Sequence, residues 1–426
     1  MSQTRPLIVD NGLDMSPYAK NVTGNSQFMI DLCKNPEKAF KDLNDGIISK
    51  EEINHQNNAK WSPLHYVCRN AKSIIFSDKI IDIFLKNDID VNLQNNDGMT
   101  ALMFASCNSN TTSTEKTVEL LLNHKDINVN LQKNDGVTAL MFASLYSNTS
   151  STEKTFEMLL NHKDINVNLQ RNNGTTTLML AARYSNTTST EKTVEMLLNH
   201  KDIDVNLQNN DGVTALMFAS DLSNTTSTEK TVEMLLNHKD IDVNLQNNDG
   251  VTALMFVSSK SHSIEKTIEM FLKHPKINVN LQDKNGTTAL MFVSSKSHSI
   301  EKTIEMFLKH PKINVNLQDK NSSTALMIAK SAFNDKTFEI LQQYMNLHRF
   351  DEQIKKKKRQ IVEYESMINL TKAFLNSYHS DELLQCPVCL DDKPCIELEL
   401  LDCGHHICTV CYPRLKNTCA MCRSKF

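Results

Sequence analysis

The sequence predicts a mainly α protein, an α-solenoid of stacked helix pairs joined by short hairpin turns. A repeat of 36 to 38 residues through the middle of the chain predicts the solenoid. A segment without glycine or proline follows it and predicts further helix, and a cysteine-rich end marks a separate small module. At 426 residues the chain is long for one compact domain. We divide it into an N-terminal segment and cap (1–50), the repeats (51–346), a helical linker (347–382) and a small α+β module (383–426).

The composition disfavours several classes of protein. The formal net charge is −4, so the chain lacks the overall basic charge that is typical of nucleic-acid binding. No apolar run approaches the roughly 18 residues of a membrane span, and the first residues lack the apolar core of a signal peptide. We therefore expect no membrane partner, no nucleic acid, and a reducing compartment, the cytoplasm or alternatively the nucleus.

The repeats are marked by a recurring Val-Asn-Leu-Gln string. A weaker copy at 53–56 brings the number of repeats to eight. Residues 252–285 are identical to 288–321, so neither of these two repeats can hold a unique catalytic site. The leucine of the string recurs at Leu93, Leu131, Leu169, Leu207, Leu245, Leu281 and Leu317.

Each repeat reads as a turn, a helix, a polar loop and a second helix. Gly212 favours a tight turn, and the apolar run at 214–220 follows it as the first helix. Thr188 and Glu191 have the spacing of a capping box at the start of a second helix. An Asn-His-Lys-Asp string is expected to close that helix, as at 199–202. Three apolar residues share one face of it: Val194, Leu197 and Leu198.

These repeats resemble ankyrin repeats. The likeness is closest at 61–65, Trp-Ser-Pro-Leu-His, and Thr-Ala-Leu-Met at 214–217 occupies the same place. The resemblance implies stacked helix pairs that bind a protein. Lys60 and Ser322 replace the turn glycine in the first and last repeats, as terminal repeats are commonly atypical. The amphipathic segment at 36–47 is expected to cap the first repeat.

Differences between the repeats indicate where a partner binds. The variation gathers at the end of the first helix and in the turn, and unselected drift at exposed sites is an equally weighted alternative. The varying positions are Cys107, Leu145, Arg183 and Asp221 at the helix end, and Asn95, Lys133, Arg171 and Asn209 in the turn. We assign substrate binding to Lys133, Leu145, Arg171, Arg183 and Asp221.

The linker is predicted to be helical. Its three isoleucines Ile354, Ile361 and Ile368 lie seven residues apart, which favours docking on the last repeat or, as the alternative, pairing with a second chain. The basic run from Lys355 to Arg359 is interpreted as a solvated helix face rather than as an import signal or a contact for an acidic partner.

The last 41 residues contain four pairs of metal-ligand residues in the order Cys-Cys, Cys-His, Cys-Cys and Cys-Cys. Eight ligands serve two tetrahedral zinc ions with no open position, which indicates structural rather than catalytic zinc. An iron–sulfur cluster needs four ligands and leaves the others unexplained. The pairs are Cys386 and Cys389, Cys403 and His405, Cys408 and Cys411, and Cys419 and Cys422.

This pattern resembles the RING finger with three cysteines, one histidine and four cysteines. The resemblance implies a zinc-stabilised RING domain with two interleaved sites for Zn²⁺, and it leaves His406 outside both sites. The first zinc is assigned to Cys386, Cys389, Cys408 and Cys411, and the second to Cys403, His405, Cys419 and Cys422.

RING domains typically hold a ubiquitin-charged conjugating enzyme, so the resemblance implies a ubiquitin ligase. The contact residues that carry over are Val388, Leu415 and Arg423. Two departures weaken this reading: Ala420 replaces a common proline, and Leu415 is smaller than the usual tryptophan. The alternative is a binding scaffold whose RING is structural or dimerising, and dimers through the linker or the RING stay open. The architecture and near-identical repeats also resemble the ankyrin proteins of giant DNA viruses, which implies host-cell substrates.

Overall fold

The structure is a computed structural model. It divides into two compact units, Met1–Gln342 and Gln343–Phe426. The residues that it describes are 24–87, 89–223, 225–260, 265–296, 301–377, 384–385, 392–393, 398–400 and 406–408.

The first unit is made of short helices that come in pairs. They are α1 (Gln27–Lys34), α2 (Pro36–Asn44), α3 (Lys50–Ile53), α4 (Pro63–Arg69), α5 (Ser77–Lys86), α6 (Ala101–Asn108), α7 (Glu115–Leu122), α8 (Ala139–Leu145), α9 (Glu153–Leu160), α10 (Thr177–Tyr184), α11 (Glu191–Leu198), α12 (Ala215–Asp221), α13 (Glu229–Leu236), α14 (Ala253–Ser258), α15 (Glu265–Lys273), α16 (Ala289–Ser294), α17 (Glu301–Lys309) and α18 (Ala325–Ser331). The chain then enters α19 (Asp335–Ser377).

The helix pairs stack in two layers. The even-numbered helices α4 to α18 pack against one another in sequence, and so do the odd-numbered helices α5 to α17. The core lies between the layers, where Leu216, Met217, Val232 and Leu235 are all almost fully buried. Burying each such side chain stabilises the fold by roughly 1.5–3 kcal/mol. This arrangement confirms the predicted mainly α solenoid of repeats.

The stack extends on the N-terminal side of the first predicted repeat. Helix α1 packs on α4, and α2 packs on α5, so this pair continues both layers. Phe28, Met29 and Leu32 are buried on one face of α1. The pair lacks the recurring Val-Asn-Leu-Gln string, which is why the sequence period did not reveal α1.

Threonines begin both helices of a typical repeat. The Thr214 side chain accepts a hydrogen bond from the Met217 N–H at the start of α12, and Thr190 does the same for Thr193 in α11. The capping box predicted at Thr188 and Glu191 is therefore wrong. Thr190 is the N-cap residue, and Glu191 occupies the first helical position, where its charge favours the positive end of the helix dipole.

The hairpin turns keep one conformation along the whole stack. Gly212 has φ of 76°, the left-handed region that favours glycine. Lys60 and Ser322, which stand in its place in the first and last repeats, also have positive φ, 58° and 60°. The terminal repeats therefore differ in sequence but not in turn geometry.

Side-chain amides link each repeat to the next. Gln208 Nε2 donates to the carbonyl oxygen of Gly212 in its own turn, at 2.6 Å, and to that of Gln246 in the following repeat, at 2.9 Å. The polar loops between the helices are linked in the same way, since Asn148 Nδ2 donates to the Thr187 carbonyl at 2.9 Å. These loops therefore form a hydrogen-bonded stack.

In the second unit, α19 runs to Ser377, and the apolar side chains of residues 347–370 are exposed. Ile354, Ile361 and Ile368 are 51%, 53% and 52% exposed. Docking of this linker on the last repeat stays a prediction. The basic side chains from Lys355 to Arg359 are also exposed, in agreement with a solvated helix face.

Four short strands follow in the second unit. They are β1 (Leu384–Gln385), β2 (Asp392–Lys393), β3 (Leu398–Leu400) and β4 (His406–Cys408). Strands β1 and β2 pair antiparallel, with Leu384 opposite Lys393. Strands β3 and β4 also pair antiparallel, with Leu398 opposite Cys408.

Candidate functional site

Two of the predicted substrate-binding residues form ion pairs with the same carboxylate in the structure. Lys133 and Arg171 belong to adjacent turns, and both contact the Asp135 carboxylate. The Lys133 Nζ lies 2.8 Å from Asp135 Oδ2, and the Arg171 Nη2 lies 3.3 Å from the same atom. The Arg171 side chain is only 12% exposed, so it is held in place by its surroundings.

The electrostatics of this cluster stabilise the charged carboxylate. Burial alone would raise the pKa of Asp135, but hydrogen bonds from Lys133 and from the Val137 N–H, with the charges of Lys133 and Arg171, outweigh it. The pKa of Asp135 is therefore held below its usual value. One carboxylate shared by two cations leaves the cluster with net positive charge.

The varying turn positions have two different roles. Asn95 is buried, and its Oδ1 accepts hydrogen bonds from the N–H groups of Asp97 and Met99, so it builds its own turn. Asn209 does the same in a later repeat. Lys133 and Arg171 occupy the equivalent positions, and among these four residues they alone carry a charge.

Arg183 lies between two aromatic rings. Its guanidinium carbon is 5.4 Å from the Tyr184 ring centroid and 5.2 Å from that of Phe218, distances at which cation–π attraction operates. No ion pair to Arg183 is found in the described part of the chain. The Nε atoms of Arg171 and Arg183 are buried, and neither has a hydrogen-bond partner among the described residues.

The same pattern occurs at the other end of the row of first helices. The Arg69 guanidinium lies 5.6 Å from the Trp61 ring centroid and 6.0 Å from that of Phe104. These two rings are 4.6 Å apart. Arginine and large aromatic residues are the types that most often dominate binding energy at protein interfaces.

Tyr146 lies in the repeat between those of Phe104 and Arg171. Burial, with the nearby Cys107 and Tyr184, raises the pKa of Tyr146 to about 12, and the charge of Arg171 opposes this rise. Burial likewise raises the pKa of the Cys107 thiol to about 11. We name the resulting row the aromatic–arginine stripe, and it consists of Trp61, Arg69, Phe104, Tyr146, Arg171, Arg183, Tyr184 and Phe218.

Comparison of the repeats in the sequence found two arginines of this stripe, Arg171 and Arg183, but missed Arg69 and the aromatic residues. Phe104 and Phe218 repeat at the same position of the first helix, which hid them among core residues. The two remaining predicted positions contribute less. Asp221 forms an ion pair with Lys260, and Leu145 is partly buried.

A second set of surfaces repeats along the other layer. Open clefts lie between the ends of successive second helices, and one is lined by His200, Lys201, His238 and Asp240. The His200 ring accepts a hydrogen bond at Nδ1 from the Asp202 N–H at 3.2 Å, which closes the end of α11 as predicted. Because equivalent clefts recur in neighbouring repeats, they offer no unique site.

The predicted zinc ligands and conjugating-enzyme contacts lie outside the described residues, with one exception. Cys408 ends β4, and its backbone alone is described. Over the described ranges, the structure has no group of three or more His, Cys, Asp or Glu residues that could hold a metal ion. Those ranges also contain no helix that is long and apolar enough to span a membrane.

Stacked helix pairs and hairpin turns define a repeat solenoid of the protein-binding class. The family model described as ankyrin repeats (3 copies) matches this chain in overlapping segments, and the chain belongs to the ankyrin-repeat family. The matched segments are 31–112, 75–168, 149–247, 188–283, 226–319 and 254–351. A search of curated proteins found no match.

Proposed function

We propose that this chain is a RING-type ubiquitin ligase, in which the ankyrin repeats bind a protein substrate and the C-terminal module recruits a ubiquitin-charged conjugating enzyme. Ankyrin repeats bind protein partners, which accounts for the first unit. The observation that carries the ligase proposal is the order and spacing of eight metal-ligand residues between Cys386 and Cys422.

The described backbone around these residues supports a metal module. The pairing of β1 with β2 closes a connection whose six residues include Cys386 and Cys389. The pairing of β3 with β4 closes a second connection, which includes Cys403 and His405. Short paired strands that bracket closely spaced ligands suit a small domain whose core is too small to fold without metal.

The donor set fits zinc. Seven thiolates and one imidazole are soft and borderline ligands, which zinc accepts in tetrahedral sites. Cys386, Cys389, Cys408 and Cys411 would hold one Zn²⁺, and Cys403, His405, Cys419 and Cys422 the other. Bound zinc would supply folding energy to the module and no reaction chemistry.

The reducing compartment that we propose, the cytoplasm or the nucleus, keeps such thiols available to metal. Cys68 and Cys107 form no disulfide, which agrees with it. If the protein is viral, this compartment belongs to the host cell.

The proposed ligase acts by positioning rather than through a catalytic residue of its own. Val388 and Leu415 would contact the conjugating enzyme, and Arg423 would donate hydrogen bonds to the enzyme and to ubiquitin. Holding the charged enzyme in one reactive arrangement converts part of the binding energy into rate.

The test is ubiquitin-chain formation by the purified full chain with activating enzyme, a panel of conjugating enzymes and ubiquitin. We expect chains with at least one enzyme, and we expect Val388→Ala together with Arg423→Ala to abolish them. Absence of chains with every enzyme contradicts the proposal. So does activity that survives the double substitution.

The second candidate is a scaffold whose RING is structural or dimerising. Ala420 and Leu415 favour it, since both depart from the residues of many active members. The exposed isoleucines of α19 offer a surface for pairing with a second chain. Under this reading the chain binds two zinc ions and its protein partner, yet forms no ubiquitin chains in the same assay.

A further inference from the structure

We infer that the aromatic–arginine stripe binds an acidic, extended segment of the partner protein. This inference describes the partner of the proposed function more closely. It rests on that function in taking the partner to be the ubiquitination substrate. The stripe spans the first five repeats, from Trp61 to Phe218. Trp61 and Phe104 are buried, so its accessible aromatic surface comes from the partly exposed Tyr146, Tyr184 and Phe218.

The first argument is unsatisfied hydrogen-bonding capacity. A guanidinium carries five N–H donors, and a carboxylate is the acceptor that matches its geometry best. The Nε of Arg171 and the Nε of Arg183 are buried without a partner among the described residues. Because both Nε atoms are closed off from solvent, a ligand would contact the remaining guanidinium nitrogens of these two partly exposed arginines, where a carboxylate gains affinity through charge-assisted hydrogen bonds.

The second argument is the charge of the helix-end row. In the first five repeats, the two positions that end each first helix carry two basic residues, Arg69 and Arg183, and one acid, Asp221. That acid is already paired with Lys260. The row therefore has an excess of positive charge, although the whole chain is slightly acidic.

The acids that face the stripe come from the turns. Asp135 is engaged by Lys133 and Arg171, while Asp97 and Asp211 are exposed in the neighbouring turns. A continuous phosphate backbone would be repelled by these aspartates. A peptide can place separate carboxylates beside Arg171 and Arg183 and avoid them, so the charge pattern favours a protein over a nucleic acid.

The third argument is the location of the aromatic residues. Tyr146, Tyr184 and Phe218 are all partly exposed, next to the two arginines. In the later repeats the equivalent helix ends carry Ser259 and Ser295, and the tyrosines are absent. The preferred segment is therefore one in which acidic residues alternate with apolar ones, and its binding is confined to the first five repeats.

The test uses a phage-displayed library of random dodecapeptides selected on the immobilised full chain. We expect the selected peptides to be enriched in Asp and Glu relative to the unselected library. Fluorescein-labelled copies of them are then titrated by anisotropy. Arg171→Gln with Arg183→Gln should weaken binding by about tenfold or more, because two charge-assisted contacts are lost.

The matched control is Lys201→Gln with Lys239→Gln, which removes the same charge from lysine side chains that are both 85% exposed in the second-helix layer. It should change the affinity by less than about twofold. The melting temperature of each variant shows that the repeats stay folded. Selection of no peptide, of peptides without acidic enrichment, or of peptides equally weakened by both pairs overturns the inference.

A fluorescein-labelled oligothymidylate of the same length is the nucleic-acid arm. If it binds more tightly than the selected peptides and responds to the arginine substitutions, the inference is wrong. Ubiquitin-chain synthesis without substrate needs only the RING, so it should persist in the arginine variant. Failure of chain synthesis with intact peptide binding would remove the ligase proposal alone.

Discussion

At the residue scale, the turn position with positive φ is constrained differently in the middle of the stack and in its last predicted repeat. A Cβ added at Gly212 would lie 2.7 Å from the backbone nitrogen of Asn248 in the next repeat. Ser322 has the same backbone conformation in the last predicted repeat, where no further repeat follows to crowd its Cβ. The constraint at Ser322 is therefore conformational alone, whereas Gly212 is also constrained by its neighbour.

We expect Ser322→Gly to stabilise the chain by about 1 kcal/mol, because glycine removes the strain of positive φ. Gly212→Ala should destabilise it by about 2 kcal/mol or more, since strain and a steric clash add. Urea unfolding followed by circular dichroism measures both. If Gly212→Ala lowers the free energy of unfolding by no more than Ser322→Gly raises it, the clash with the next repeat contributes nothing.

His65 is the buried titratable residue with the clearest pH signature. Its Nδ1 accepts the Ser62 N–H at 3.0 Å, and its Nε2 lies 3.0 Å from the Leu93 carbonyl oxygen. Burial lowers the pKa of His65 to about 4, an effect that the two backbone hydrogen bonds of Nε2 only partly offset. The ring is therefore neutral in the folded chain at neutral pH.

The direction of the pH dependence follows from this shift. The unfolded chain binds a proton at His65 near pH 6.5, and the folded chain only near pH 4. Stability is complete above pH 6.5 and falls as the pH drops to 4, by about 3 kcal/mol from this residue. His65→Gln should flatten that part of the stability curve in urea titrations at several pH values. An unchanged slope would contradict the assignment.

At the scale of the element, the hydrogen-bonded glutamines connect successive turns. Gln208→Ala removes bonds to the Gly212 and Gln246 carbonyls, and leaves two partly buried acceptors without that donor. We expect a loss of about 1–2 kcal/mol. Gln318→Ala is the matched control, because its side chain faces no following repeat and donates no such pair of bonds in the described structure. Equal losses in thermal unfolding would show that cross-repeat bonding contributes nothing.

The helix starts show why boundaries within an element are harder to predict than the element itself. Four hydroxyl residues precede α11, at 187–190, and each could cap a helix. The structure uses Thr190, while Thr188 Oγ1 is buried without a hydrogen-bond partner among the described residues. Thr190 also donates a hydrogen bond to Glu153 Oε1 of the preceding repeat, at 2.6 Å, and a local sequence pattern does not contain such a contact between repeats.

At the scale of the whole molecule, the proposed metal module has a prediction that needs no ubiquitin chemistry. His405→Ala should lose one of two zinc ions per chain, because it removes an assigned ligand. His406→Ala, which changes the adjacent residue, should retain both. Elemental analysis of the purified full chain counts the zinc. Two ions in both variants would exclude His405 as a ligand, and one ion in the His406 variant would exclude the assigned register.

The sequence by itself determined the period, the number of predicted repeats, the helix pairs and the ankyrin family, because each depends on local pattern repeated at a fixed spacing. Lys133, Arg171 and Arg183 were also found from the sequence, since they differ between otherwise similar repeats. Only the tertiary structure decided that Lys133 and Arg171 share Asp135, and that Arg183 lies between Tyr184 and Phe218. The contacts of Arg171 with Asp135 and of Arg183 with Phe218 join residues of adjacent repeats, and stacking sets which side chains of two repeats meet.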